Sequence, residues 1–433
     1  MIPIIDFHEL ETNGRYRAIW SRELTFDPAI ESRVGEIVGD VRARGDEAVL
    51  EYTKRFDGIE LDAVEPVPAD ILDELHARVD REFLDALRGA IENVRAFHRL
   101  QLRNRIESKP AKGVTLSLRF NPIGNVGLYV PGGAGAYPSS IVMNAVPAQV
   151  AGVGRIVVVT PPGRFRENPH VAAALVELGL SEVYTIGGAQ AVAALAFGTE
   201  SVPRVDKIVG PGNIYVAVAK KQVYGQIDID MFAGPSEIVV VADETADPAF
   251  VAADLLSQAE HGSGMEMALL LTTSRDVAVK TRDELLRQAG ELPYPDKVKK
   301  VLDNNALIVV DDLGRAAEAV NRIAPEHLEL MVADPRGLSD RIKNAGAIFL
   351  GPWSPEPVSD YYAGPNHVLP TSGTARYASP LGVYDFQKCT SIVEYSKDAV
   401  ADCARRVDIL ARSEGFVAHA RAVTIRTEKS GNP

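Results

Sequence analysis

The 433-residue chain carries 46 basic and 59 acidic residues, a formal charge of −13, with 46% hydrophobic and 24% charged residues. That length and ordinary globular composition predict full folding around more than one core, and the acidic balance disfavours nucleic-acid and anionic-membrane partners. No apolar run approaches membrane-spanning length, the opening MIPIIDFHELETNGRY has no basic leader region, and Cys389 and Cys403 form neither a disulfide framework nor a CxxC motif, so a reduced cytoplasmic protein is expected.

Asp27 followed by Pro28 reads as an N-cap and first helical residue, and residues 27–102 keep a helical pattern, with Ile30, Val34, Ile37 and Val41 at helical spacing and an amphipathic run over 81–100. VTLSLRF at 114–120 alternates as a strand does. From Asn125 onward short apolar runs alternate with helices: VGLYV, RIVVV, EVYTI and DKIV are each followed by a helical stretch. A second series follows, in which EIVVVAD, MALLLTT, ALIVVDD, LELMV and AIFLG mark the strands. Strands in that alternation predict an α/β fold of two doubly wound, incomplete Rossmann-like parallel-sheet domains, preceded by a helical N-terminal lead-in. The expected division is an N-terminal arm at 1–26, a first domain at 27–128 and 237–381, a second at 129–236, and a C-terminal tail at 382–433. After Gly351 a Pro-, Gly- and Tyr-rich stretch runs to about Pro380, and a last helix over 397–413 stops at Gly415.

Four polar segments could carry chemistry. In LLSQAEHGSG, Gln258 and His261 are three residues apart in the last turn of a helix, with Gly262 as a natural C-cap; a helix carboxyl end favours a cation, and an amide oxygen with an imidazole suits a borderline divalent metal. In RIAPEHLEL, Pro325 ends a helix and Glu326 with His327 fall before a strand, where a carboxylate and an imidazole in a turn could share general-base work. Asp360 and His367 lie in the turn-rich DYYAGPNH loop, and Glu414 and His419 flank the helix-breaking Gly415. Taken singly, a dipole partner, a surface pair or a solvated loop explains each of them as well. YVPGGAGAYPSS and VGPGN both open helices as phosphate-binding loops do, but there is no GxGxxG, and the second strand ends in TPPG without the acid that reads a ribose.

The ordered set NVGLYVPGG, YPSSIVMNAVPAQVAG, GGAQAVAALAFGT, KIVGPGNIYVAVAK, IDMFAGPSE, LLSQAEHG, APEHLEL, DYYAGPNHVLPTSGTAR and AHARAV, spanning nearly the whole chain, resembles the histidinol dehydrogenase family. The resemblance implies two NAD-linked oxidations of L-histidinol, through L-histidinaldehyde to L-histidine, at the last step of histidine biosynthesis. It implies one Zn²⁺ per subunit on Gln258, His261, Asp360 and His419, catalysis by Glu326 and His327, and substrate contacts from Ser236, Gln258, His261, His327, Asp360, His367, Glu414 and His419. NAD contacts are implied for Tyr129, Gln190 and Asn213 in the second domain, and a homodimer in which the tail completes the partner's site. A related zinc and NAD dehydrogenase of another polyol, or a zinc hydrolase with Glu326 as base, would use much of this set; Ser236, Glu414 and the DYYAGPNH loop favour histidinol.

Overall fold

The computed structural model of the chain describes residues 2–20, 26–132, 137–232, 234–261 and 264–428. Residues 133–136 of the first glycine-rich loop, Ala233 of AGPSE and the expected C-cap Gly262 lie outside that description.

Strand β1 (Ile4–Asp6) precedes two short helices and then the helical lead-in, Pro28–Arg44, Asp46–Asp57, Ala69–Ala77 and Arg81–Arg99. Asp27 caps the first of these as expected, its Oδ1 accepting from the Ala29 N–H at 2.8 Å. A hairpin of β2 (Ile106–Ala111) and β3 (Val114–Pro122) leads into β4 (Asn125–Tyr129), β5 (Arg155–Val159), β6 (Val183–Tyr184), β7 (Lys207–Val209) and β8 (Asp228–Ile229). The second series is β9 (Glu237–Ala242), β10 (Met267–Thr272), β11 (Leu307–Val309), β12 (His327–Met331) and β13 (Ala347–Leu350), and β14 (Gln387–Tyr395) ends the strands.

Both α/β sheets are wholly parallel, in the orders β6-β5-β4-β7-β8 and β1-β11-β10-β9-β12-β13. Ranked from its own first strand each series winds identically, with β1 added at one edge of the second. Two halves of one topology therefore face each other, although no repeat shows in the residues. Every residue of β9 and β10 is buried, as a parallel sheet covered on both faces requires. Val239 and Val241 enter one core with Ala316 and Val320, and Ile238 and Val240 enter another with Val251 and Leu255.

The lead-in helices cover the five-stranded sheet. Leu87, Ile91 and Val94 pack with Val126 and Ile141 on one face, and Val34, Ile37 and Val49 with Val157 and Leu195 on the other. Three features were not anticipated from the sequence. β14 pairs antiparallel with β3 from Gln387↔Pro122 to Tyr395↔Val114, making a third sheet in the order β14-β3-β2. A short helix, Pro295–Leu302, intervenes before β11. The tail helix Lys397–Ser413 does end at a left-handed Gly415 (φ 83), but a further helix, Val417–Glu428, then carries His419.

β4 and β7 are neighbours formed by opposite halves of the winding, so their carboxyl ends diverge into the crevice where such sheets take ligands. The loop after β7 is fixed there. Gly210 donates its N–H to Asp230 Oδ2 at 2.7 Å, and its carbonyl accepts from Lys220 Nζ at 3.1 Å. Its φ of +109° suits glycine alone, and a Cβ would collide with the Tyr129 carbonyl. Gly210→Ala is expected to destabilise the fold by about 2 kcal/mol or more, read as a lower midpoint in urea with an unchanged m-value.

Candidate active site

A cavity of about 540 Å³ lies between the carboxyl ends of β4 and β7, at Tyr129 and Gly210, and the amino ends of β9 and β12, at Ser236 and His327. The carboxyl-end rule for ligands thus holds for the five-stranded sheet only. The six-stranded sheet presents its opposite edge, which is also where the antiparallel helix Pro248–Ala259 delivers Gln258 at its carboxyl end.

Backbone hydrogen bonds build that edge. The Glu237 N–H donates to Glu326 Oε2 at 2.9 Å, and the Glu326 N–H donates back to Glu237 Oε2 at 3.3 Å. Glu237 Oε1 accepts from the Ser372 N–H at 2.7 Å, so one carboxylate ties together the starts of two strands and the 371–373 turn. Among the described residues the non-glycine positions with positive φ are Ala324 (52°) and Ser372 (54°), and both adjoin this knot. Strain concentrated there is typical of a functional site. Ala324, in left-handed conformation, ends the helix Leu313–Ile323 one residue before Pro325, the residue expected to end it.

His327 is the first residue of β12 rather than a turn residue, yet Glu326, just outside the strand, remains beside it with Oε2 3.7 Å from Nδ1. His327 Nδ1–H donates to the Glu237 carbonyl at 2.9 Å and lies 3.1 Å from Gln258 Oε1. The other nitrogen therefore carries the lone pair. Nε2 is buried without a partner, 3.9 Å from Glu356 Oε1 and 4.0 Å from Asp360 Oδ1. Burial lowers the His327 pKa to about 3, helped by His367 and His261, so the ring is neutral.

Gln258 is buried, and His261 follows it beyond the helix cap with Nδ1 3.2 Å from the Gln258 carbonyl. Asp360 sits in a π-helical turn, Ser359–Ala363, a distortion often found at working sites. Its carbonyl accepts from His367 Nδ1–H at 2.9 Å, which leaves His367 Nε2 free to face the cavity. Next to His367, Asn366 donates from Nδ2 to the Met143 carbonyl at 2.6 Å and pins this loop to the five-stranded half.

Burial drives the carboxyl pKa values upward. Glu326 is pushed well above the usual range by burial, then by the charges of Glu237, Asp360 and Glu356. Glu356 is pushed to about 8 and Asp360 to about 6, again chiefly by burial. Behind them Glu329, whose Oε1 accepts from the Glu356 N–H at 2.8 Å, is raised by burial and by Asp254. The sole basic side chain among the described lining residues apart from histidines, Lys220, is already paired with Asp230.

This crowd of carboxyls with an unpartnered imidazole nitrogen fits a divalent cation. Ligand atoms of His327, Glu356 and Asp360 lie within 4.8 Å of one another, and Gln258 and His261 line the same cavity. The ligand set expected from sequence shares Asp360 with that group and is brought together except for His419. The cavity also gathers Ser236, Glu326, His327, His367, Tyr129 and Asn213. Gln190 is buried and is not among the lining residues, and both its amide atoms are unpartnered. Glu414 and His419 are exposed and do not line the cavity of their own chain.

Sequence reasoning missed Glu237, Glu356, Glu329 and Asp254. Two of them had a readable signal: Glu329 interrupts the apolar LELM strand, and Asp254 interrupts the buried face of its helix, positions where an acid is expected only with a partner.

The sequence pattern of the histidinol dehydrogenase family matches residues 21–427. A histidinol dehydrogenase of Heliobacterium mobile is 49% identical over 433 residues, covering 99% of this chain and 100% of its own length. That of Geobacillus kaustophilus is 50% identical over 396 residues, covering 91% and 93%. The crystal structure of histidinol dehydrogenase from Elizabethkingia anophelis superposes with a TM-score of 0.94 at 34% identity, covering 100% of this chain and 99% of that one.

The buried carboxyls make a prediction about stability without metal. Glu326, Glu329 and Glu356 hold protons in the fold at pH values where the unfolded chain, near 4.5, has released them. The fold then binds more protons than the unfolded state, so its stability falls as pH rises through this window. Chelator-treated protein should melt at progressively lower temperature from about pH 5 to about pH 8, and added Zn²⁺ should reverse most of the loss at the upper end. Differential scanning fluorimetry across pH checks both.

Proposed function

Since the chain belongs to the histidinol dehydrogenase family, we propose that it oxidises L-histidinol twice with NAD, through L-histidinaldehyde to L-histidine, in the cytoplasm. The observation that carries this reading is the neutral His327, held by its Nδ1–H so that Nε2 opens as a base beside Glu326, in the crevice that also holds Tyr129 and Asn213.

Zinc would be held by Gln258, His261 and Asp360, with His419 of the partner subunit as the fourth protein ligand; when bound it supplies a fixed positive charge that orients the substrate's amine and imidazole nitrogens and keeps neighbouring carboxylates ionised. NAD, when bound, accepts the hydride. Tyr129 and Asn213 would contact it, and Gln190, whose buried amide has both atoms unpartnered, would join them. Asn213 Oδ1 already caps the helix Ile214–Val223 by accepting from Tyr215 N–H and Val216 N–H, which leaves Nδ2 for the ligand.

In the first oxidation His327 Nε2 takes the hydroxyl proton as hydride departs from the same carbon. Glu326, ionised, then takes a proton from water as the oxygen adds to the aldehyde carbon. His327 returns its first proton to the former carbonyl oxygen, which completes the hydrate, and then takes a hydroxyl proton of that hydrate as the second hydride leaves. Ser236 and His367 would contact the substrate, together with Glu414 of the partner subunit.

A homodimer with shared sites is supported by the surface of the tail. Val393 is 67% exposed and Leu410 64%, and Ile409, Phe416 and Val417 are exposed as well, large apolar side chains of the tail that a partner would cover. It also accounts for the placement of the chain's own Glu414 and His419 away from its own cavity.

Four outcomes test the reading. Purified protein should yield two NADH per L-histidinol, and Glu326→Gln should slow the aldehyde oxidation at least tenfold more than the alcohol oxidation, seen by supplying each substrate separately; equal slowing would remove Glu326 from the hydration step. Glu237→Gln withdraws a negative charge from Glu326 and so lowers its pKa, moving the acid limb of the aldehyde oxidation to lower pH. Subunits carrying His327→Asn, mixed with subunits carrying His419→Asn, should regain part of the activity that each homodimer lacks.

A further inference from the structure

One carboxylate in the cavity has no part in this chemistry. Asp57 is the final residue of the helix Asp46–Asp57, immediately before the left-handed Gly58 (φ 68), and it lines the cavity together with Tyr129, Gly132 and Pro161. Its position is electrostatically unfavourable. The carboxyl end of a helix repels an anion, and the rest of the last turn carries the expected cations Lys54 and Arg55. Its Oδ2 is buried and has no hydrogen-bond partner, and burial raises its pKa. A partly desolvated acid without a partner, kept where it costs stability and turned to a cavity, is the signature of a ligand contact.

The topology says which contact. In a doubly wound sheet the nucleotide crosses the switch point, and an acid at the end of the second strand ordinarily accepts the hydroxyls of the adenosine ribose. Here that second strand is β5, which ends in Thr160-Pro161-Pro162 with no acid, and Pro161 lines the cavity. Asp57 reaches the same cavity from the lead-in, whose helices pack on the five-stranded half against the helix Gly188–Phe197. The nicotinamide has to meet the substrate beside His327 and Asp360 at the six-stranded half, and Asp57 lines the cavity from the five-stranded half near Tyr129, which assigns it to the adenosine end. No arginine is among the described lining residues, and Lys220 is committed to Asp230 and the Gly210 carbonyl, so the described lining offers a 2′-phosphate no free lysine or arginine.

We propose that Asp57 is a specificity-determining residue for the dinucleotide, accepting hydrogen bonds from the adenosine ribose hydroxyls of NAD and excluding the 2′-phosphate of NADP. The inference rests on the NAD-linked reading of the site. The test compares kcat/KM for NAD, NADP and the 2′-deoxyadenosine analogue of NAD, with L-histidinol saturating, in the unaltered protein and in Asp57→Asn and Asp57→Ala. The unaltered protein should favour NAD over NADP by about a hundredfold or more and lose roughly tenfold with the 2′-deoxy analogue. Asp57→Ala should cut the preference for NAD at least tenfold, through KM for NAD, and should show no further loss with the analogue, the non-additivity expected of two groups in direct contact. Asp57→Asn, which keeps the shape and removes the charge, should relax the exclusion of NADP. A preference and an analogue penalty that persist in both variants overturn the proposal, and so does an unaltered protein indifferent to the 2′-hydroxyl, a result that needs no variant to fold. Failure of the unaltered protein to reduce NAD with histidinol would overturn the underlying reading itself, before any variant is compared.

Discussion

Glu237 and Glu326 stand at the starts of adjacent parallel strands and exchange hydrogen bonds, each carboxylate accepting the other's backbone N–H. The first backbone groups of a sheet edge have no ladder partner, and burying them uncapped would be costly. Here side chains cap them, which is why the edge can be dry and still carry two acids. The same carboxylate of Glu237 reaches the Ser372 N–H, and the Glu237 carbonyl fixes the His327 tautomer. The orientation of the His327 ring, the raised pKa of Glu326 and the closure of the 371–373 turn all depend on that one knot. Neither acid could be neutralised without consequences for the other, because each is both a cap and a charge.

Electrostatics then sets what the cavity can hold. Five buried or half-buried acids, Glu237, Glu326, Glu329, Glu356 and Asp360, crowd one edge of one sheet, and the nearby lysine is occupied. Left alone, Glu326, Glu329, Glu356 and Asp360 are pushed toward protonation, chiefly by burial. A cation resolves the conflict by favouring the ionised forms. The fold accordingly carries a local electrostatic cost that a bound cation would offset, and such a cost is ordinary where chemistry needs a poised base.

The two α/β halves meet by unlike edges. The five-stranded half uses the carboxyl ends of β4 and β7, where an open sheet ordinarily binds ligands, and the six-stranded half uses the amino ends of β9 and β12. Shared winding therefore does not mean shared use. The first half offers glycine-rich loops and a switch-point crevice, and the second offers side chains held by its capped strand starts. The long loop with Asp360 and His367 bridges them through the Asn366 contact with the Met143 carbonyl, so that the buried polar side chains and the switch-point crevice form one cavity.

Periodicity in the sequence determined the parallel series and the helical lead-in, because alternation and helical spacing are local consequences of burial on one face or both. The ordered motifs also determined the family, and with it the residues to watch. Spacing alone did not assemble the site: Gln258, Glu326 and Asp360 are far apart in sequence, and only the pairing of β9 with β12 and the π-turn at Ser359–Ala363 bring them together. The third sheet escaped because β2 is exposed at every position and so gives no burial pattern, and the second tail helix because its apolar residues do not segregate to one face. Glu237 looked like an ordinary strand residue, and its work as a cap is visible only once β12 lies beside it. Asp57 looked like one more acid at a helix end, and the cavity it faces is made by residues more than seventy positions further on. Those are non-local facts, decided when the chain closes on itself.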